Sequence, residues 1–427
     1  MNLLEDFRAR GLLHQASHEE QLSAALAAGV VTGYVGFDPT ASSLHVGHLL
    51  PIMLLVRLQR AGHRPIALVG GATGLIGDPS GKAAERTMQS LDEVSANVEA
   101  IRAQLARFLR FDDSPTGAQL LNNHAWLGSM GLLAFLRDVG KHFSVNAMVQ
   151  RDSVKNRLEQ REQGISYTEF SYMLLQAYDF LALYDRLGCT LQMGGSDQWG
   201  NIVSGADLIR RLRDAQAFAI TAPLLTRADG TKFGKSEGGN VWLDPALTSP
   251  YEFYQFWLNA SDDDVGKLLR FFTLLPVTEI DALLDAHGQD PGKRLAQRSL
   301  AEAVTTLVHG AEGLSRAKSA TAVLFGDAPF SDLSADELEA AFKGAPSHSV
   351  PRSALGTNDA ALVELAAAAG LFKSKSEART TMSKGGLSLN KEPVTDPRRA
   401  LVEADLIAGR FAVLRKGKKS WHVVRVA

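Results

Sequence analysis

The pattern of apolar and polar residues predicts alternating strands and helices in the first part of the chain. Val30 to Phe37 is rich in β-branched and aromatic residues and predicts a strand. After a polar loop, Gly47 to Ala61 predicts a helix that ends at Gly62. Pro65 to Val69 and, later, Thr190 to Met193 predict further buried strands. This order of strand, loop, helix and strand favours a buried parallel sheet of the nucleotide-binding type.

The rest of the pattern divides the chain into further segments. Residues 92–185 predict mostly helices, and we interpret part of them as an insertion that carries a dimer surface. The pattern is helical again from Pro250 to about Phe325, after which Gly, Pro and Ser are frequent. We therefore predict an α/β protein with a Rossmann-like parallel-sheet catalytic domain and helical insertion at 1–225, an α-helical domain at 226–325, a linker region at 326–357, and a small α+β RNA-binding domain at 358–427.

Charge is distributed unevenly along a chain of otherwise ordinary composition. The 427 residues are 45% hydrophobic and 22% charged, which is typical of a globular protein, and the net charge is −2. Residues 372–427 hold 13 Lys or Arg and 5 Asp or Glu, a balance of +8, which leaves −10 for the other residues. This asymmetry predicts an acidic catalytic body and a basic module that binds a polyanion, although a solvated charged surface fits composition equally well.

The sequence contains no recognisable export signal or membrane span. Its first residues mix charges without an apolar segment and cleavage site. The apolar run Leu49 to Val56 is far shorter than the roughly 20 residues that cross a bilayer. The single Cys189 excludes an internal disulfide and a paired-cysteine zinc site. We expect a cytoplasmic protein with no membrane partner and no resident metal.

The first candidate motif lies where a strand and a helix are joined. His45-Val46-Gly47-His48 marks the start of the predicted helix, and Thr40 precedes it in the loop. A helix N-terminus offers unpaired N–H groups to phosphate, and a glycine lets a nucleotide approach the backbone. The two imidazoles and the hydroxyl can donate hydrogen bonds to phosphate oxygens. An isolated motif of this kind is nevertheless common on protein surfaces.

The second candidate motif is a lysine loop, Lys232-Phe233-Gly234-Lys235-Ser236, within a glycine-rich segment. Lysine is a compact, flexible cation that can follow a moving phosphate. Such a loop could close over a polyphosphate and stabilise charge as it develops in the transition state. On its own the loop would carry no functional conclusion.

A third set of residues could bind an amino acid. Tyr34 in the first strand, near Asp38, and the carboxylate of Asp179 can supply the donor and acceptor that a phenol requires. Tyr172, Gln176 and Asp179 are spaced to share one helical face. Three residues, Asp78, Tyr172 and Gln176, are candidates to bind an α-ammonium group. Spacing alone would equally describe them as ordinary residues of an amphipathic helix.

Together the two motifs resemble the HIGH and KMSKS signatures of the class I aminoacyl-tRNA synthetases, in the same order. Val46 stands for the Ile of the first signature, whereas Phe233 and Gly234 replace Met and Ser in the second, a variant similar to that of the bacterial tyrosyl enzymes. Four further segments resemble the tyrosyl pocket, namely residues 34–38, 70–79, 172–179 and 194–198. The similarity covers essentially the whole chain and includes the RNA-binding C-terminal domain.

The resemblance implies ATP-dependent activation of L-tyrosine and its transfer to tRNA(Tyr) by a homodimer. No cofactor would be tightly bound, and Mg²⁺ would arrive with ATP. The implied catalytic residues are Thr40, His45, His48, Lys82, Arg86, Lys232, Lys235 and Ser236. The implied tyrosine-binding residues are Tyr34, Gly36, Asp38, Asp78, Asn123, Tyr172, Gln176, Asp179 and Gln198. Among them, Asn123 would orient Tyr34. The implied ATP-binding residues are Gly36, Asp38, His45, Gly47, His48, Gly195, Asp197 and Lys235.

Three alternatives remain at this point. A tryptophanyl synthetase shares the nucleotide motifs, but its indole would not use the pair Tyr34 and Asp179. A small-molecule nucleotidyltransferase can carry the first motif, yet it would not need the basic C-terminal module. A non-catalytic RNA-binding protein of synthetase ancestry could have lost the lysine loop, which is intact here.

Overall fold

A computed structural model describes residues 2–77, 90–151, 154–155, 158, 165–228, 230–231, 233–236, 239–326, 329–342, 346–417 and 420–427. The chain divides into two compact units, each considered by itself below. The first consists of Met1–Thr248 and Phe256–Val308, and the second of Ser249–Gln255 and His309–Ala427. Among the described residues, no helix combines the length and apolar character that crossing a membrane requires.

A six-stranded sheet forms the centre of the first unit. Its strands are β1 (Gln15–Ala16), β2 (Thr32–Phe37), β3 (Arg64–Val69), β4 (Gln119–Asn122), β5 (Cys189–Gly195) and β6 (Phe218–Ala222), in the spatial order β1-β6-β5-β2-β3-β4. All pairings are parallel except that of the short edge strand β1 with β6. The chain reverses its direction of travel across the sheet between β2 and β5, where open parallel sheets bind their ligands.

The predicted parallel sheet is confirmed, but three of its strands, β1, β4 and β6, were not predicted. β4 lies inside the segment expected to be mostly helical, so that expectation is corrected at Gln119–Asn122. These four half-buried residues include no β-branched side chain, so neither their pattern nor their composition indicates a strand. β6 is buried throughout, and a short run that is buried at every position has no period that separates strand from helix.

Helices cover the sheet and supply the other site residues. In the first unit they are α1 (Leu3–Arg10), α2 (Glu19–Ala28), α3 (Leu49–Arg60), α4 (Leu91–Leu105), α5 (His124–Leu127), α6 (Leu132–Asp138), α7 (Val145–Val149), α8 (Tyr167–Leu187), α9 (Trp199–Arg213), α11 (Asp262–Phe272) and α12 (Val277–Gln289). Two more helices, α10 (Pro250–Leu258) and α13 (Leu295–Phe325), have residues in both units. Helix α8 begins with the Ser166 side chain accepting the N–H of Glu169 and ends at Gly188, whose φ is +61°. On its inner face, Phe180 packs edge-on against Tyr34, with ring centroids 5.3 Å apart.

A five-stranded sheet organises the second unit. Its strands are β9 (Ser347–Val350), β10 (Leu387–Leu389), β11 (Glu392–Val394), β12 (Phe411–Lys416) and β13 (Ser420–Val426), in the order β11-β10-β12-β13-β9. Helices α15 (Leu362–Ala368) and α16 (Lys375–Met382) share one buried cluster with the sheet, and a second cluster joins the sheet to α14 (Ala335–Ala341). The stretch 326–357, predicted as a linker region, thus holds a helix and a sheet strand. The family resemblance predicted the fold class of this unit correctly.

Candidate active site

The first motif forms a tight turn that is capped by its own histidines. Val46–His48 is a single 3-10 turn that leads into α3. The backbone N–H of Gly47 donates to Nδ1 of His45 over 3.0 Å, and the N–H of His45 donates to Nδ1 of His48 over 3.1 Å. Because each Nδ1 accepts a hydrogen bond, each neutral imidazole carries its proton on Nε2. Both rings therefore present a donor at the ring atom farthest from the backbone, the polarity that a phosphate oxygen requires.

Two glycines keep this region open for different reasons. A Cβ on Gly47 would lie 2.7 Å from Cε1 of His45, so any larger residue would displace that ring. Gly36, at the end of β2, is exposed, and no atom of the described residues other than its chain neighbours lies within 4 Å of the position its Cβ would take. At Gly36, therefore, no side chain of the described part of the chain covers the floor of the site beside β2.

The lysine loop lies directly against the first motif. Gly234 has φ of +101°, and a Cβ there would be 3.2 Å from Cγ2 of Val46 and 3.5 Å from the backbone N of Gly47. The N–H of Val46 donates to the carbonyl of Val241 over 2.9 Å, and the N–H of Val241 donates to the carbonyl of Gly234 over 3.3 Å. These contacts bring the two motifs together and explain why glycine replaces the serine of the signature.

Within the loop, Lys235–Ser236 forms β7, which pairs with β8 (Gly239–Asn240). Lys232 lies outside the described residues, as do Asp78, Lys82 and Arg86. Thr40 is exposed, and its N–H donates to the carbonyl of Asp38 over 2.9 Å. Five of the eight predicted catalytic residues thus fall within the described part of the chain, all of them in or next to the two motifs.

A fully buried carboxylate lies at the bottom of the site. Asp179, on α8, accepts hydrogen bonds from Nδ2 of Asn123 over 2.9 Å and from Nε1 of Trp126 over 2.7 Å. Burial raises the pKa of Asp179 to about 7, although both hydrogen bonds act in the opposite direction. Its charge is therefore stabilised by two donors without being fully compensated.

Beside it lies a buried hydroxyl with no partner. The Tyr34 hydroxyl makes no hydrogen bond to any described residue. Burial and then the charge of Asp179 raise the pKa of Tyr34 well above its usual value, so the phenol stays protonated. Gln192, which pairs with Tyr34 in register on β5, has an equally buried Oε1 without a partner in the described chain. Buried polar groups are normally hydrogen-bonded, so unpaired atoms at this position favour a polar ligand.

Two findings at this depth differ from the sequence-based expectation. Asn123 does not bond Tyr34 but donates to Thr73 and Asp179 and accepts from the N–H of Ala72, so it orients the carboxylate. Trp126 was not predicted at all. The contact between Trp126 and Asp179 joins a one-turn helix to a helix 53 positions away, and no sequence pattern indicates that pairing.

The remaining predicted binding residues lie along the rim of the same site. The Tyr172 hydroxyl donates to Oδ1 of Asp38 over 3.4 Å, and Nε2 of Gln176 donates to Oε1 of Gln198 over 3.3 Å. Asp197 is exposed in the 3-10 turn Ser196–Gln198 that follows β5. The predicted helical face of Tyr172, Gln176 and Asp179 is therefore directed at one site, with the carboxylate deepest.

A cavity of about 260 Å³ extends from this rim along the first motif. Gly47 and Pro51 line one side, Gly195 and Asp197 another, and Phe233 closes it from the lysine loop. Glycines at both ends allow a flat ring to approach the backbone. Within the described ranges, no group of three or more His, Cys, Asp or Glu is arranged to hold a metal ion.

Comparison with known proteins agrees with this arrangement. The family profile described as tRNA synthetases class I (W and Y) matches residues 27–326, and that of the tyrosine–tRNA ligase SYY-like C-terminal domain matches 337–424. The tyrosine–tRNA ligase of Roseiflexus castenholzii is 51% identical over 99% of both chains, and that of Geobacillus stearothermophilus is 50% identical over 100% of both. A C-terminally truncated mitochondrial tyrosyl-tRNA synthetase of Aspergillus nidulans is 33% identical, with a TM-score of 0.67 over 74% of this chain and 92% of its own.

The fold and the paired motifs define a class I tRNA synthetase of the group that includes the tryptophan and tyrosine enzymes. Full-length relatives at about 50% identity narrow this further. The chain belongs to the tyrosine–tRNA ligase family. The family resemblance and the fold class predicted from the motifs are both confirmed.

Proposed function

We propose that this chain activates L-tyrosine with ATP and transfers it to tRNA(Tyr). The observation that carries the proposal is the buried pair of Tyr34 and Asp179 beneath the two nucleotide motifs. A phenol hydroxyl placed there would donate to the carboxylate and exchange a hydrogen bond with the Tyr34 hydroxyl, which otherwise has no partner in the described chain. Gln192 Oε1 adds a further buried acceptor next to Tyr34.

This pocket also accounts for the choice of amino acid. If phenylalanine occupied it, the Tyr34 hydroxyl would stay unpaired and the Asp179 carboxylate would keep only its two protein donors, at a cost of several kcal/mol in general, and enzymes of this family are the standard example of such rejection. An indole N–H could donate to the carboxylate but could not accept from Tyr34. The proposal therefore favours tyrosine over tryptophan at the level of single hydrogen bonds.

The first reaction step forms a bond between a tyrosine carboxylate oxygen and the α-phosphorus of ATP. The bond from that phosphorus to the pyrophosphate oxygen breaks, and pyrophosphate leaves. Nε2–H donors of His45 and His48, with Thr40, would bond the phosphate oxygens, while Gly36, Gly47 and Gly195 leave room for the nucleotide. Lys232, Lys235 and Ser236, with Lys82 and Arg86, would stabilise the departing pyrophosphate, and Mg²⁺ would accompany ATP.

The amino group and the ribose would be held at the rim. Asp78, Tyr172 and Gln176 are the proposed partners of the α-ammonium group, and Asp38 lies within hydrogen-bonding distance of Tyr172. Asp197 is the proposed ribose ligand and Gln198 contacts Gln176. In the second step a ribose hydroxyl of the terminal adenosine, the 2′-hydroxyl in most of this class, attacks the activated carbonyl and AMP leaves.

We propose that the second unit binds the tRNA and that the protein acts in the cytoplasm. Its helix α16 exposes Lys375 and Arg379, and Lys384 follows exposed. Among the described residues, Lys375 forms an ion pair with Glu364, whereas Arg379 and Lys384 form none. Exposed cations along one helix are suited to a phosphate backbone. This supports the predicted RNA-binding module without specifying which part of the tRNA it contacts.

A homodimer is the proposed assembly. Helices α6 and α7 and the start of α8 expose large apolar side chains: Leu132, Leu133, Leu136, Val145, Val149 and Tyr167. Leu133 is 82% and Tyr167 72% exposed, and a patch of this kind on one unit typically marks a protein interface. Its position in the predicted insertion supports a second copy of the chain as the occupant. A sedimentation experiment that finds only monomer at micromolar concentration would overturn this assignment.

Amino-acid-dependent exchange of pyrophosphate into ATP tests the function directly. Tyrosine should drive the exchange, and neither tryptophan nor phenylalanine should do so at comparable concentration. Asp179→Asn should reduce tyrosine-dependent kcat/KM by at least about a hundredfold while leaving ATP binding nearly unchanged, because the phenol loses a charged acceptor. Exchange driven equally by tryptophan would contradict the assignment of the substrate. Equal loss of ATP and tyrosine binding would assign Asp179 to the scaffold.

A further inference from the structure

One aromatic side chain of the lysine loop, Phe233, packs among other aromatic rings of the first unit. Phe233 separates Lys232 from Gly234 and Lys235. Its ring centroid lies 5.3 Å from that of Phe256, 5.6 Å from that of Trp257 and 6.1 Å from that of Phe272. These separations, with tilted, edge-on and stacked orientations, are those that aromatic rings favour.

The neighbouring residue is fixed from the other side. Gly234 approaches Val46 and Gly47 so closely that a Cβ would meet them at 3.2 and 3.5 Å, and its carbonyl accepts the N–H of Val241. The N–H of Phe233 donates to the carbonyl of Leu225 over 3.4 Å. A displacement of the Phe233 ring would therefore also displace the backbone that touches the first motif.

We propose that Phe233 is a positioning residue for tyrosine activation, acting through the two lysines that flank its dipeptide. The aromatic pocket of Phe256, Trp257 and Phe272 holds Phe233, and with it Gly234, against the first motif, and this fixes the segment that would bring its lysines to the phosphates. The inference rests on the proposed function, since it presupposes ATP at these motifs. It adds a residue whose ring is packed among three other rings as well as lining the nucleotide cavity.

This role predicts a specific kinetic signature. Cations that stabilise charge only as it develops contribute to kcat and not to the binding of tyrosine. A misplacement of about 1 Å costs roughly a hundredfold in rate. Tyrosine itself would bind at Tyr34 and Asp179, which belong to β2 and α8. If Phe233 had only a structural role, removing its ring would lower stability and leave the rate of each folded molecule unchanged.

The test uses the full chain and four variants: Phe233→Ala, Phe233→Met, Phe256→Ala, and the double alanine variant. Single-turnover formation of tyrosyl-adenylate is measured per active site, with KM for tyrosine and thermal midpoints alongside. Phe233→Ala should slow adenylate formation by about a hundredfold with KM for tyrosine unchanged. Phe233→Met should keep most of the rate, because a long apolar side chain still fills the pocket. The double variant should be no slower than Phe233→Ala, because both changes remove one interaction.

A matched control comes from the second unit. Phe330 lies 6.3 Å from Phe342, and Phe330→Ala removes a comparable ring pair and should not change the rate of adenylate formation. If the wild-type chain is active but Phe233→Ala slows the step by less than about threefold, the positioning role is overturned and the function stands. Losses in Phe233→Ala that only follow the unfolded fraction overturn it as well. Absence of tyrosine-dependent adenylate formation in the wild-type chain would overturn the proposed function first, and this inference with it.

Discussion

At the scale of single residues, the site depends on groups that are buried without complete pairing. Asp179 and the Tyr34 hydroxyl cost free energy in the protein alone, because burial leaves the hydroxyl without a partner among the described residues and the carboxylate with only two donors to offset its desolvation. A polar substrate that pairs them recovers this energy on binding, whereas an apolar one does not. The raised pKa of Asp179 has the same origin as the selectivity, namely burial.

The space beside Gly36 predicts that a small side chain added there would hinder the substrates and leave the fold intact. A Cβ on Gly36 would meet no atom within 4 Å in the part of the chain that the structure describes, so Gly36→Ala should fold with an unchanged thermal midpoint. The added methyl group would occupy space that the substrates require, and KM for tyrosine or ATP should rise roughly 10- to 100-fold. Gly131→Ala is the matched control, since its Cβ would also meet none of the described residues within 4 Å and it lies before α6. Normal kinetics in Gly36→Ala would show that the substrates do not lie over β2.

At the scale of elements, the second unit contains a histidine pair on neighbouring strands, one member half-buried and the other buried. Nδ1 of His348 on β9 lies 2.8 Å from Nε2 of His422 on β13. Burial lowers the pKa of both below 6.5, and for His422 the neighbouring His348 lowers it further. The folded unit therefore binds fewer protons than the unfolded chain when the pH falls below about 6.5.

The free energy of unfolding of this unit should therefore fall as the pH drops through about 6.5, and level off once the folded pair is itself protonated. To measure this pH dependence, the full chain is unfolded in urea at each pH and labelled by a pulse of hydrogen exchange at one fixed pH. The urea midpoint of the second unit is then read from the peptides that cover β9 and β13. His348→Gln, which keeps a polar partner for His422 but removes one titrating ring, should weaken the pH dependence. A pH dependence of the same size in this variant would rule out the pair as its source.

The elements also show what could be predicted from sequence and why the rest could not. Strand β2 and helix α3 were predicted because each has a strong local pattern, and the tyrosine pocket was predicted because the family resemblance supplied it. The contact of Gly234 with Val46 and the hydrogen bond from Trp126 to Asp179 were not. Each joins segments that are far apart in sequence, so only the folded sheet brings them together. The same holds for Phe233 and its aromatic pocket.

At the scale of the whole molecule, the two compact units divide the proposed reaction between them. The first unit contains both nucleotide motifs and the buried tyrosine pocket. The second unit contains the basic segment 372–427, whose charge balance is +8. Adenylate formation requires only small substrates, whereas transfer requires tRNA. A change confined to the exposed cations of the second unit should therefore separate the two steps.

Reversal of two charges makes this separation measurable. Arg379→Glu with Lys384→Glu replaces two exposed cations in and just after α16 and leaves the buried residues of that helix, Ala378 and Met382, unchanged. Aminoacylation of tRNA should fall at least tenfold, mainly through KM for tRNA, and the defect should lessen at low salt, because phosphate contacts are screened by ions. Pyrophosphate exchange should be unchanged. Lys293→Glu, which reverses an exposed charge in the first unit, is the control and should charge tRNA normally. If the double variant charges tRNA as well as the control, the basic excess is a solvated surface, and the RNA must be bound by other residues.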